Sequence, residues 1–332
     1  MCLFPKIIKN KKYTANKKNK GKIPKPMDER VLHVPVACGK CMECKHKKAR
    51  DWQVRLSEEI KTNKNGKFVT LSFSNEAINE LKEAIENNEK KFNKLNIQSE
   101  NNGLSGYNLD NEIATIATRR FLERWRKKYK KSIRHWLVSE LGSTNTERIH
   151  LHGILFTDEI EDIEKIWKYG NVYIGDYVNE KTINYMVKYV HKTDKKHPNY
   201  NSKILTSPGI GKNYTTTSNA NKNKFKPKET IETYTNRTGQ KVALPIYYRN
   251  KIYTEEEKEK LWIEKLDKQI RWVDGQKVDV SKDLKCYYRL LKEAQRKNKE
   301  LGYGNDEVNW EKKYYENQIR ILKQAEYMNK HE

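Results

Sequence analysis

No apolar run in this chain of 332 residues approaches the ~18 that a membrane-crossing helix needs. Its basic N-terminus has no apolar region of the kind that marks a secretory leader. A cytosolic protein with no membrane partner is therefore the expectation. Cysteine is scarce: there are five, and three are packed as Cys38-x-x-Cys41-x-x-Cys44. In a reducing compartment that argues against a disulfide framework and for metal or free thiols. Acidic residues are outnumbered, with 44 Asp and Glu against 68 Lys and Arg, for a net charge of +24. The 20 tyrosines and seven tryptophans set flat rings among those cations. That is the electrostatic footprint of a nucleic-acid binder. Apolar residues make up 36% of the chain, low but enough for one sizeable core, and the length suggests one or two domains.

Residues 1–30 are rich in Lys, Asn and Pro without periodicity, which reads as an extended arm. The cysteine triplet follows. Thiolates at this spacing wrap one Zn²⁺, with His46, His33 or Cys2 available as fourth ligand; Cys38, Cys41, Cys44 and His46 are taken as the candidate structural site. Trp52, Leu56 and Ile60 recur at helical spacing from Lys47 to about Thr62. Phe68 to Phe73 then alternates small hydroxyls with bulky apolar residues, a strand with one core face and one face fit for a site. An acidic helix runs from Ser74 to about Glu89, and the polar stretch from Asn87 to Asn108 reads as an insertion. Asp110 to Lys131 is the clearest helix, with Ile113, Ala117, Leu122 and Trp125 on its buried side. Arg119, Arg120, Arg124, Arg126, Lys127 and Lys128 crowd the remainder and are expected to contact phosphate.

The chain's centre is Ile149-His150-Leu151-His152-Gly153-Ile154-Leu155-Phe156. Side chains alternate along a pleated backbone, so both imidazoles share one face of this strand. Two such imidazoles suit a divalent metal, although a core strand with locally bonded histidines is the plainer alternative. Ile133 to Leu141 is also strand-like, and the polar run from Gly142 to Arg148 turns the chain back. A regular hairpin about Asn145 sets Glu140 opposite His150 as third ligand; a one-residue bulge would send it to the other face.

Beyond an acidic helix near Asp158–Trp167 and a short strand within Gly170–Gly175 lies the run from Thr182 to Lys192. Tyr185 and Tyr189 are four apart and stack on one helix face, and Lys188 and Lys192 repeat that spacing. Each tyrosine thus opens a Tyr-x-x-Lys frame.

A strand, His-x-His, then Tyr-x-x-Lys on a helix, in that order, resembles the motifs of the HUH endonuclease superfamily of rolling-circle initiators. The doubled frame resembles more narrowly the replication initiators of microviruses. The cysteine cluster with Trp52 and Arg55, Ser139-Glu140, Trp167 with Gly170, and Ser207-Pro208-Gly209-Ile210-Gly211 are similar to the gokushovirus-like branch. The resemblance spans residues 1 to about 215. It implies an α+β fold, a central antiparallel sheet flanked by helices, and an enzyme that nicks and rejoins single-stranded DNA at a phage origin in the bacterial cytoplasm. Mg²⁺ or Mn²⁺ on His150, His152 and Glu140 would serve as Lewis acid. Tyr185 or Tyr189 would form a 5′-phosphotyrosine, with Lys188 and Lys192 offsetting charge.

The run Ser207 to Asn213 is superficially like a phosphate loop, but it lacks the spacing of one, so a host helicase and DNA polymerase are expected as partners. Residues 216–250 read as a basic linker. Thr254 to Glu257 resembles a capping box that opens a helical C-terminal extension, with further helices near 282–300 and 306–330. The expected division is 1–46 arm and cysteine cluster, 47–215 endonuclease domain, 216–250 linker and 251–332 helical region. The competing functions are a non-catalytic, zinc-stabilised single-stranded DNA-binding protein and a phosphodiesterase that uses water.

Overall fold

The computed structural model describes residues 1–17, 19–94, 104–142, 147–193, 197, 200–307, 318 and 321. Two compact units divide the chain. One comprises Asn63–Tyr189 and Tyr200–Pro208, with 307–332; the other comprises Met1–Thr62, Val190–Asn199 and Gly209–Asp306.

The first of these is built on a five-stranded antiparallel sheet. From edge to edge its strands are Val172–Ile174, Gly66–Leu71, Ile149–Phe156, Arg134–Leu141 and Ile204–Thr206. The period-two alternation sorts each strand onto two faces. Val69, Leu71, Leu137, Leu151 and Leu155 face one side, where they meet Ala77, Leu81, Ile85, Ile113, Ala117, Phe121 and Trp125. Those seven come from the helices Asn75–Lys94 and Gly106–Tyr129. Thr70, His152, Val138, Glu140 and His150 share the other face, because Thr70 pairs with His152, Val138 with His152, and Glu140 with His150. The regular hairpin register anticipated from the sequence is therefore the one formed.

At Gly153 the central strand lies unusually close to its neighbour. A Cβ built there would stand 2.1 Å from the Trp136 carbonyl oxygen and 2.8 Å from Leu137 Cα. No side chain fits that space.

In the other unit, the strands Lys6–Lys9 and His33–Val36 pair antiparallel. Residues 1–30, expected as a loose arm, are pinned: Tyr13 Oη and Lys12 Nζ both donate to Glu259, at 2.7 and 2.8 Å. The helix Met42–Thr62 belongs to this unit, apart from the sheet with which the sequence grouped it. Its Arg55 guanidinium lies 4.1 Å from both the Trp52 and the Tyr247 ring and donates to the Ile210 carbonyl. Gly211, at φ +72°, would carry a Cβ only 2.5 Å from the Arg55 carbonyl oxygen, and its N–H donates to Glu59 at 2.6 Å. The Ser-Pro-Gly-Ile-Gly run is thus a packing loop. Residues 216–250 do not form a linker: they hold the hairpin Thr233–Thr235 with Lys241–Ala243 and most of the helix Ile246–Ile252. Tyr234, Leu244 and Tyr248 are buried there with Val54 and Tyr214, and that apolar content holds the segment in place.

The capping box at Thr254 and Glu257 is present and opens the helix Glu255–Asp267. A hairpin, Ile270–Val273 with Gln276–Asp279, and the helix Leu284–Glu300 follow. The helix from Asn75 reaches Lys94, so it takes up part of the expected insertion, and residues 95–103 fall outside the described residues. So do most positions of the helix expected at 306–330.

Candidate active site

Three ligand types converge on the open face of the sheet. His150 Nε2 and His152 Nε2 lie 3.2 and 3.0 Å from the same Glu140 oxygen. Each second ring nitrogen has its own partner: His150 Nδ1 meets the Arg148 carbonyl at 3.2 Å, and His152 Nδ1 meets Thr70 Oγ1 at 3.0 Å. A carbonyl only accepts, so His150 Nδ1 carries the proton, and in the neutral ring Nε2 presents a lone pair. Facing a carboxylate at this distance, that lone pair is favourable only if a cation lies between them. The ligand atoms of Glu140, His150 and His152 all fall within 4.8 Å of one another, as a shared ion requires. Thr70 orients the second histidine as outer-shell groups do for metal-bound imidazoles. Its signal in the sequence was the alternating hydroxyl pattern of its strand.

The helix Glu180–His191 brings both tyrosines to this face. Ile183, Met186, Val187 and Val190 form its buried stripe. The Tyr189 ring stacks on His152 with centroids 4.2 Å apart, and Tyr185 meets Phe68 at 6.1 Å. Tyr189 Oη donates to Tyr185 Oη at 2.5 Å. Burial raises the Tyr189 pKa above the ordinary phenol value, and the hydrogen bond with Tyr185 and the Glu140 charge push the same way. A cation at Glu140 opposes that last contribution. Lys188 is exposed on the helix, and Lys192 is exposed just past its end.

The basic helix lies elsewhere. Gly106–Tyr129 packs on the sheet face opposite the histidines, so it does not flank the metal set as anticipated. Arg124 is committed internally, donating to the Ile166 and Trp167 carbonyls and to Tyr169 Oη. These bonds cap the helix Glu161–Trp167. Arg120 pairs with Glu80 and Lys128 with Asp162, whereas Arg119, Arg126 and Lys127 are exposed.

In the other unit, Cys2, Cys38, Cys41 and Cys44 bring four sulfur atoms within 4.8 Å of one another. Cys2 therefore takes the place assigned to His46. That histidine sits 3.3 Å from Tyr303 Oη with its ring edge against His191. Crowding splits the thiols: hydrogen bonds from Cys41 and Cys44 draw the Cys38 pKa down, while sharing with Cys38 raises the other two. A site that already favours a thiolate is primed for a soft cation. Two metal-ligating clusters are thus present among the described residues.

Residues 66–194 match the family model described as replication-associated protein ORF2. This segment is a rolling-circle replication initiator domain of the HUH superfamily. The match takes in the Glu140 strand, the His-x-His strand and the tyrosine helix. No curated protein and no solved structure matches the chain. The replication initiator domain and its Glu-His-His set together make this a metal-dependent enzyme that nicks and rejoins DNA. No helix among the described residues is long and apolar enough to cross a membrane.

Proposed function

We propose that this initiator domain cuts single-stranded DNA at the origin of a small circular phage genome through a 5′-phosphotyrosine intermediate. The observation that carries the reading is the Tyr189 ring lying on the metal-set histidine with Tyr185 bonded to its hydroxyl. Glu140, His150 and His152 would hold the divalent ion, Mg²⁺ or Mn²⁺. When bound, it supplies Lewis-acid polarisation of a non-bridging phosphate oxygen.

The chain's own residues do the rest. A phenol oxygen forms the new bond to phosphorus, the bond to O3′ breaks, and the phenolic proton ends on the departing 3′-hydroxyl. Tyr185, as acceptor of the Tyr189 proton, gives that proton a first place to go. Lys188 and Lys192, on or just beyond the same helix, offset charge on the phosphoryl group. Rejoining is the reverse: a 3′-hydroxyl attacks phosphorus and the phenol leaves. With two tyrosines one turn apart, one holds the old 5′ end while the other attacks the regenerated junction. Exposed cations such as Arg119, Arg126 and Lys127 carry DNA away from the cut.

The doubled Tyr-x-x-Lys frame supports the microvirus branch, with the bacterial cytoplasm as the setting and a host helicase and polymerase as partners. For the four-sulfur cluster we read structural Zn²⁺, since thiolates are its preferred ligands. The deciding experiment incubates the protein with labelled origin-like single-stranded DNA and Mg²⁺ and looks for a denaturation-resistant adduct. Cleavage without an adduct would indicate water as the nucleophile. Tight binding without cleavage would indicate a binding module.

A further inference from the structure

Beside the metal set, on the side away from the tyrosines, lies a groove of about 470 Å³. Thr70, Ser72, Ser74, Arg148, His150 and Asn171 line it. We propose that this groove binds the nucleotide on the 5′ side of the scissile phosphate, the one that keeps the 3′-hydroxyl after nicking. The proposal rests on the tyrosine-transfer reading above and adds a substrate subsite to it.

The argument is one of direction. Along the strand from Gly66, the side chains facing the site are Phe68, then Thr70, then Ser72 just beyond its end, each about 6.7 Å from the last. Phe68 carries Tyr185 at 6.1 Å. Thr70 holds His152, on which Tyr189 lies. His150 comes next, and it borders the groove that continues to Ser72 and Arg148. The order is tyrosines, metal set, groove.

Displacement at phosphorus puts the entering and leaving oxygens roughly in line. A phenol entering from the His152 side therefore sends O3′ out on the His150 side, into the groove. The lining suits that occupant. Ser72 Oγ donates to the Asn171 carbonyl at 2.8 Å, so its oxygen is turned to accept. Arg148 offers the one cationic side chain of the lining, matched to the next phosphate along. Holding by a single cation and a few hydroxyls is weak enough for the 3′ end to leave for a polymerase and return for closure.

The test uses the full protein and oligonucleotides in which one phosphate is replaced by an uncharged methylphosphonate. With the substitution one nucleotide to the 5′ side of the cut, KM for adduct formation should rise about tenfold, with kcat within about twofold. Arg148→Ala should raise KM on unmodified DNA by a similar factor and show no further loss with the modified strand. Arg148→Lys should recover part of the effect. A penalty that falls instead on the 3′ side, or losses that multiply in Arg148→Ala, would overturn the proposal. If the wild type forms no adduct at all, the tyrosine-transfer reading fails. Equilibrium binding of the same oligonucleotides, read for the same non-additivity, then still decides the groove.

Discussion

The phenol ring of Tyr189 lies flat on the imidazole of His152, 6° from parallel, whereas Tyr185 meets its neighbours edge-on. The two tyrosines of a symmetrical sequence frame are therefore unequal in place. Tyr185→Phe and Tyr189→Phe should each leave some first-strand nicking and impair coupled recleavage and circle release, and the double variant should form no adduct. Adduct gels with a two-site substrate measure both steps. Should one single variant lose all adduct while the other matches wild type, only one tyrosine acts as nucleophile.

Removing a ligand should separate chemistry from affinity. His150→Ala and His152→Ala are expected to abolish cleavage while DNA affinity stays within several-fold, because the basic surface supplies most of it. Thr70→Val should lower Mn²⁺ affinity by roughly 10–100-fold by releasing His152 Nδ1. Paramagnetic titration reads this without DNA, and unchanged Mn²⁺ affinity in Thr70→Val would rule out the orienting role.

The sulfur cluster gives a stoichiometric test. Purified protein should release one zinc per chain on mercurial titration. Cys2→Ser should lose most of it and His46→Ala none, the reverse of what the sequence spacing suggested. Since only thiolates bind, the metal should also come off on acidification. Full zinc retention in Cys2→Ser would return the fourth position to another ligand.

A buried histidine away from the metal sets a pH dependence. His135 is 7% exposed, with Nδ1 between the Ile133 carbonyl and Ser207 Oγ at 3.1 and 3.0 Å. Burial lowers its pKa below the ordinary 6.5, the Arg134 charge adds to that, and the Ile133 bond opposes it in part. The folded state thus resists a proton that the unfolded state accepts. Its stability contribution is present above pH 6.5 and is lost as pH falls toward the folded pKa, with a slope of at most about 1.4 kcal/mol per pH unit. Urea midpoints between pH 7.5 and 5.5 should fall less steeply in His135→Asn than in wild type; parallel slopes would exclude His135 as a source.

Local signals carried the catalytic part of the chain. Alternation gave the faces of residues 133–141 and 149–156, and the polar turn between them gave the register that brings Glu140 to His150. Four-residue spacing gave the tyrosine pair. The failures were long-range. Nothing near Cys38 indicates that Cys2, across 36 residues of chain, supplies the fourth sulfur, because that contact depends on the pairing of Lys6–Lys9 with His33–Val36. The charge run on Gly106–Tyr129 could be counted, yet its place behind the sheet, and the use of Arg124 as a helix cap, follow from packing that composition does not encode. Residues 216–250 looked polar enough for a linker because their buried groups are mainly tyrosines, which combine an apolar ring with a polar tip.

The space denied to a side chain at Gly153 acts as an index mark for the whole site. Sliding the histidine strand along its partner by two residues would preserve which side chains face the metal, but it would drive the Cβ of Leu151 or Leu155 into the gap that Gly153 leaves beside Trp136 and Leu137. Only one alignment escapes collision, and it is the one that sets Glu140 across from His150. Ligand spacing here is thus guarded by a residue that binds nothing, so the effective motif is His-x-His-Gly, with its last letter specifying alignment where the first and third specify chemistry.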